Sequence, residues 1–155
     1  MESNYKKSLD YMDMAFRAAE RAGQSGEVPV GAVIVDPTSN DVLAVAGNEV
    51  EARSDPTAHA EMLVIRSATA SLSSPRLSGH DLYVTLEPCP MCASAISFAR
   101  LRRVFFGAYD PKGGGVDHGP RIFSQASCHH RPDIVGGVDA ARAEVLLKEF
   151  FAARR

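Results

Sequence analysis

The chain has 155 residues, 45% of them hydrophobic and 23% charged, which is the balance of a soluble globular protein of one domain's length and excludes a disordered chain or a fibre. Acidic or basic residues interrupt every apolar run short of the roughly 18 residues a membrane helix needs. The net charge is only −2, but residues 1–99 hold seven basic and thirteen acidic residues whereas residues 100–155 hold ten and six, an asymmetry that points weakly to a polyanion-binding face. The start, Met1 to Lys7, lacks the apolar core of a signal peptide. Three cysteines, an odd number, argue against a disulfide framework, so the expected setting is the reducing cytoplasm.

In chain order, residues 8–22 place Leu9, Met12, Phe16 and Ala19 on one face of a helix that Gly23 stops. Val28 to Val35 reads as a strand with Pro29 near its start, residues 37–41 as a turn, and Val42 to Ala46 as the return strand of a hairpin. Asp55-Pro56-Thr57 opens a helix through about Ala70, with Ala58, Met62, Ile65 and Ala68 on its apolar side. A strand at 81–86, a helix at 90–99 and a strand at 104–108 follow. Residues 109–131, with Gly113-Gly114-Gly115, read as loop, and a last helix runs from about Asp139 to Ala153 with Ala143, Leu146, Leu147 and Phe150 at helical spacing. With no internal repeat and no linker, residues 1–155 are expected to form one domain. The order predicts an α/β protein, a three-layer α/β/α sandwich around a mixed five-stranded sheet.

Two segments carry chemistry: His59-Ala60-Glu61 at one helix entrance and Pro88-Cys89-Pro90-Met91-Cys92 at another, about 28 residues further on. Cys89 and Cys92 lie across a first helical turn, so both sulfurs can point at one spot, and the helix N-terminus favours thiolate. With His59 they make a His-Cys-Cys set, three ligands that leave a tetrahedral zinc one open position, the mark of a catalytic site. Glu61, two residues after His59, diverges from it by about 200° along a regular helix, yet at the helix entrance both can face one pocket, where a carboxylate can move protons. Taken singly, the Cys pair also suits structural zinc or a redox pair, and the histidine an ordinary core position; the combination favours the catalytic reading.

This pairing is the signature of the zinc-dependent nucleobase deaminases, and the chain resembles the bacterial tRNA-specific adenosine deaminase family within them from about residue 11 to 155. The matching stretches are Glu27 to Val33, Asp55 to Glu61, Leu82 to Cys89, and the end, Phe150-Phe151-Ala152-Ala153-Arg154-Arg155. The resemblance implies a cytidine deaminase-like fold, one zinc per chain held by His59, Cys89 and Cys92, and Glu61 as proton shuttle. It implies hydrolytic deamination of adenosine to inosine at the wobble position of a tRNA anticodon loop, by a homodimer. It also implies that Asn48 hydrogen-bonds the target nucleotide, that Ala60 lines the base pocket, that Val30 and Phe151 flank the base, and that Asp110 touches the RNA backbone or ribose. Lys112, Arg154 and Arg155 are candidates for the RNA backbone, with Arg100, Arg102, Arg103 and Lys148 as further basic residues for phosphates. On the last helix, Phe150 continues the apolar face and is expected in the core, leaving Phe151 for RNA.

The chain departs from the family pattern at Gly113-Gly114-Gly115 and at Cys128-His129-His130-Arg131. Cys128 with two histidines suits a second metal site on paper, although adjacent residues rarely converge on one ion, and a plain loop is the expectation. Two other functions share part of the pattern. One is a small-molecule deaminase acting on guanine, cytosine or a nucleoside, which uses the same metal motif. The other is a non-catalytic zinc-stabilised RNA-binding module, which would want four closed ligands.

Overall fold

The computed structural model describes residues 2–155, with side chains from Lys6 onward. Helix α1 (Glu2–Gln24) starts before the predicted Ser8, because Lys6 and Lys7 are good helix formers and no breaker precedes them. Strand β1 (Gly31–Asp36) begins later than the predicted Val28. Pro29 has no N–H to give a ladder, and the Val30 N–H instead donates to the Val28 carbonyl at 2.8 Å. Strand β2 (Asp41–Gly47) returns antiparallel to it. Helix α2 (Val50–Arg53), a single turn, has no signal in the sequence pattern. It exists because the buried Glu27 carboxylate accepts the Glu51 and Ala52 N–H groups at 3.0 and 2.9 Å.

Helix α3 (Ala60–Leu72) starts five residues after the predicted Asp55. The Asp55 carboxylate accepts both the N–H and the hydroxyl of Thr57, at 2.8 and 2.7 Å, so Asp55-Pro56-Thr57 folds as a turn and His59 stands at the helix entrance in extended backbone. Strand β3 (Asp81–Leu86), helix α4 (Pro90–Ala99) and strand β4 (Arg103–Ala108) fall where the sequence pattern puts them, within a residue. A turn of 3-10 helix at Ile122–Ser124, strand β5 (Asp133–Val135) and helix α5 (Ala140–Ala152) complete the chain.

The sheet order is β2-β1-β3-β4-β5, with β1 antiparallel to both neighbours and β3, β4 and β5 parallel. Helices α1 and α5 pack on one face and α3 on the other, with α4 against α3. The expected mixed five-stranded α/β/α sandwich is the fold. One core lies under α3 and α4 around Ile34, Val64, Leu82, Ile96 and Phe106, the other under α1 and α5 around Met12, Phe16, Val33, Val35 and Phe105. At Gly31 a Cβ would run into the α1 backbone at Ala15 and Ala19, so only glycine lets α1 lie this close to the sheet.

The two helices of the second face are joined by Arg142. It donates to Asp13 at 2.9 Å and Glu20 at 3.2 Å and lies 4.5 Å from the Phe16 ring centroid. Hydrogen bonds from Arg142 and Arg17 hold the Asp13 carboxyl below its ordinary value. A depressed carboxyl stabilises the fold fully above the unfolded value of about 3.9, and the contribution disappears as pH falls through the lower folded value. Because the pairs are partly solvated, Arg142→Ala should cost about 1–2 kcal/mol, or roughly 2–8 °C in melting temperature at neutral pH. The loss should shrink when the melts are repeated near pH 3; a constant difference across pH would place the effect in packing alone.

Candidate active site

The entrances of α3 and α4 meet beyond the carboxyl ends of β3 and β4, where ligands bind in open α/β sheets. His59 enters from the N-cap of α3 and Cys89 from the N-cap of α4, with Pro90 in its first turn and Cys92 following. His59 Nδ1 lies 3.5 Å from Cys89 Sγ and 3.6 Å from Cys92 Sγ, and the three donor atoms all fall within 4.8 Å of one another. A tetrahedral zinc with bonds of about 2.0–2.1 Å to nitrogen and 2.3 Å to sulfur has N···S edges of about 3.6 Å. The donor set is therefore spaced for zinc, with three protein donors and room for a fourth ligand.

The two thiols and the imidazole are linked by hydrogen bonds. Hydrogen bonding from Cys92 and then from His59 lowers the Cys89 thiol into thiolate, which in turn holds the Cys92 proton on. The hydrogen bond with Cys89 raises His59. Glu61, on the first turn of α3 and 4% exposed, has its carboxyl pushed up to about 7, first by burial and then by the Cys89 charge. A buried acid poised near neutrality is suited to taking and giving protons.

The cavity beside these groups has a volume of about 720 Å³, and His59, Glu61 and Cys89 line it. Val30, Asn48 and Asp110 line it too. The Asn48 side chain also braces the site: its Oδ1 accepts the Ala60 N–H at 2.8 Å and its Nδ2 donates to the Val28 carbonyl at 3.1 Å. Ala60, expected in the base pocket, is instead fully buried in the core under α3 and α4. Its contribution is the N–H that Asn48 holds.

The last helix reverses an expectation. Phe150 and Arg154, not Phe151, line the cavity. Arg154 lies 3.4 Å over the Phe150 ring and donates to its carbonyl at 3.0 Å. Phe151, 47% exposed, faces a second groove of about 860 Å³ with Tyr109, Lys112, Lys148 and Arg155. The helical wheel misses this because α5 ends beside the site: Phe150 and Arg154, four residues apart, share a face that extends past the sheet. Arg102 and Arg103 stand near the other end of β3 and β4, where Arg102 pairs with Asp81 at 2.6 Å and Arg103 with Asp133 at 3.7 Å; they are remote from the cavity. Cys128 contacts Ser97 Oγ at 3.4 Å and the His130 carbonyl at 3.2 Å. Among the described residues the metal-capable group is His59, Cys89 and Cys92, and residues 128–131 lie in irregular backbone.

Residues 5–108 match the family model of the cytidine and deoxycytidylate deaminase zinc-binding region, and fold and donor set together define a zinc-dependent deaminase. The chain is 50% identical to a tRNA-specific adenosine deaminase of Agrobacterium fabrum and 42% identical to that of Bacillus subtilis, over 94% of this chain and 94% and 89% of theirs. A solved structure from work on A-to-I editing by tRNA:A34 deaminases at the wobble position superposes with a TM-score of 0.86 at 51% identity, covering 89% of this chain and 99% of that one. The chain belongs to the tRNA-specific adenosine deaminase family. A guanine deaminase of Nitrosomonas europaea, at 20% identity and a TM-score of 0.76, covering 93% of this chain and 84% of that one, shares the fold.

Proposed function

We propose that this protein hydrolyses adenosine to inosine and ammonia at the wobble position of a tRNA anticodon, as a single deaminase domain over residues 1–155 acting in the cytoplasm. The observation that carries the reading is the buried Glu61 carboxylate in the wall of the cavity that His59 and Cys89 also line. His59, Cys89 and Cys92 would hold the zinc, which would supply a nucleophilic water at neutral pH. Glu61 takes a proton from the attacking water and delivers it to N1 of adenine, then takes the remaining hydroxyl proton at C6 and passes it to the amino group, which leaves as ammonia as the C6 carbonyl forms. Val30 and Phe150 bound the base, Asn48 and Asp110 offer polar contacts to the nucleotide, and Arg154 stands at the mouth. An unpaired loop base can be splayed into such a pocket. Lys112, Lys148 and Arg155, in the neighbouring groove with Phe151 and Tyr109, suit the flanking phosphates and bases. A second copy of the chain is the proposed cover for Phe98, 77% exposed on α4.

Incubation with total tRNA followed by nucleoside analysis should yield inosine at an anticodon's first position. The rate should fall with salt, each phosphate contact adding about 0.7 to the log–log slope, and light scattering should give the mass of a dimer. Salt-independent conversion of free guanine or adenosine would favour the small-molecule reading instead.

The two aromatics of α5 divide the roles. Phe150→Ala should lower kcat/KM on an anticodon stem-loop by about 10–100-fold, the worth of one base–aromatic stack. Phe151→Ala should act on binding of longer RNA and leave the stem-loop rate within about threefold. Equal losses in both variants would return Phe151 to the base pocket.

A further inference from the structure

Glu87 closes strand β3 two residues before Cys89 and is 2% exposed, where a carboxylate needs full hydrogen bonding. It finds its donors in the loop after β4. Oε1 accepts the Asp110 N–H at 3.0 Å and His118 Nδ1 at 2.8 Å; Oε2 accepts the N–H groups of Val116, Asp117 and His118 at 3.2, 3.0 and 3.2 Å. Three consecutive amides curled round one oxygen form the concavity that elsewhere binds an anion, filled here by the protein's own side chain. Behind it, the Gly114 N–H donates to the Asp110 carbonyl and the Gly115 N–H to the Pro88 carbonyl, both at 2.8 Å. The fit leaves no space: a Cβ on Gly114 would overlap the Glu87 carboxylate, and one on Gly115 would come within 2.5 Å of the Pro90 nitrogen.

The loop so held carries Asp110 and Gly113 into the cavity wall. Asp110 is itself oriented by accepting the Lys112 and Gly113 N–H groups at 3.3 and 3.0 Å. Backbone bonds from Glu87 N–H to the Ala108 carbonyl and from Gly115 N–H to the Pro88 carbonyl, both at 2.8 Å, tie the two ends of the loop to the Cys89 segment, and the Glu87 carboxylate is the side-chain link that holds the residues between them. We propose that Glu87 is a positioning residue, a clamp that holds the Asp110–His118 loop, and with it the Asp110 carboxylate, in register with the His59–Cys89–Cys92 centre for the RNA nucleotide. The proposal rests on the tRNA deaminase reading for its effect on activity, not for the clamp itself.

A glutamine has the same shape but one acceptor oxygen, so its NH2 must face either Asp110 and His118 or the three amides. Glu87→Gln and Gly114→Ala, which breaks the clamp from the loop side, should both keep one zinc per chain. Both should raise KM for an anticodon stem-loop at least about tenfold with kcat within about threefold, the signature of lost ground-state binding. Asp110→Ala should raise KM alike in the native background and add nothing to Glu87→Gln. Hydrogen exchange at the amides of Val116, Asp117 and His118 should speed up at least about tenfold relative to β3 and β4 in both variants. Native KM in both variants, additive losses with Asp110→Ala, or loss of zinc together with kcat would overturn the proposal, the last by making Glu87 a support of the metal segment. If Glu87→Gln fails to fold, Gly114→Ala decides alone. If the native protein acts on no RNA, the tRNA reading fails, and unchanged exchange at residues 116–118 would still overturn the clamp.

Discussion

Glu61→Gln should leave zinc content and fold in place and lower the rate of inosine formation by at least about 10²–10⁴-fold, the usual worth of one general acid–base group. Glutamine matches the carboxylate in volume, so the packing of the first turn of α3 survives, but it cannot carry a proton in either direction. A loss at the upper end or beyond is expected because Glu61 acts twice per turnover, at N1 and at the leaving amino group. The fall should appear in kcat and kcat/KM together, as for an interaction made only in the transition state. Single-turnover rates on a stem-loop, with zinc measured in the same samples, make the check; a folded, zinc-loaded variant at near-native rate would remove Glu61 from the mechanism.

Cys89→Ala should release the metal. Losing an outer-shell partner already costs up to about 100-fold in metal affinity, so losing a direct thiolate should cost at least that, and activity with it. His59→Ala should behave alike. Cys128→Ala, whose sulfur sits between Ser97 and the His130 carbonyl, should keep a full equivalent of zinc. Metal analysis of the three purified variants separates these cases, and full zinc in Cys89→Ala would dissolve the donor set.

The donor set is legible in the sequence because its information is local. Cys89 and Cys92 lie within one helical turn, and His59 and Glu61 within one helix entrance, so spacing alone brings the members of each pair together, while the meeting of the two pairs across 30 residues is legible only from their combination. Helices α4 and α5 and strands β3 and β4 are legible for the same reason, since their apolar periods are intact. What escapes a sequence reading is set by side chains reaching across long stretches of chain. Helix α2 depends on Glu27, more than twenty residues earlier. The start of α3 depends on the Asp55 carboxylate choosing Thr57 over a helical turn. The period of α5 assigns Phe150 to the core, whereas its surroundings are decided by where α5 stops relative to the sheet. Glu87 does leave a trace: an acid at the end of an apolar strand, followed later by three adjacent glycines, is a buried charge in search of close backbone donors.

Phe150 and Arg154 line the cavity together with Val30 and Asn48, so the pocket joins two segments separated by most of the polypeptide. One of them belongs to a helix's final turns, where backbone hydrogen bonds open most readily. Occupancy of the pocket therefore tightens the least stable part of α5, and a bound nucleotide should be felt as added order at the end of the chain. On warming, the same wall should fray while both cores are still packed, so the grip on substrate weakens at temperatures where spectroscopic signals of folding have not moved.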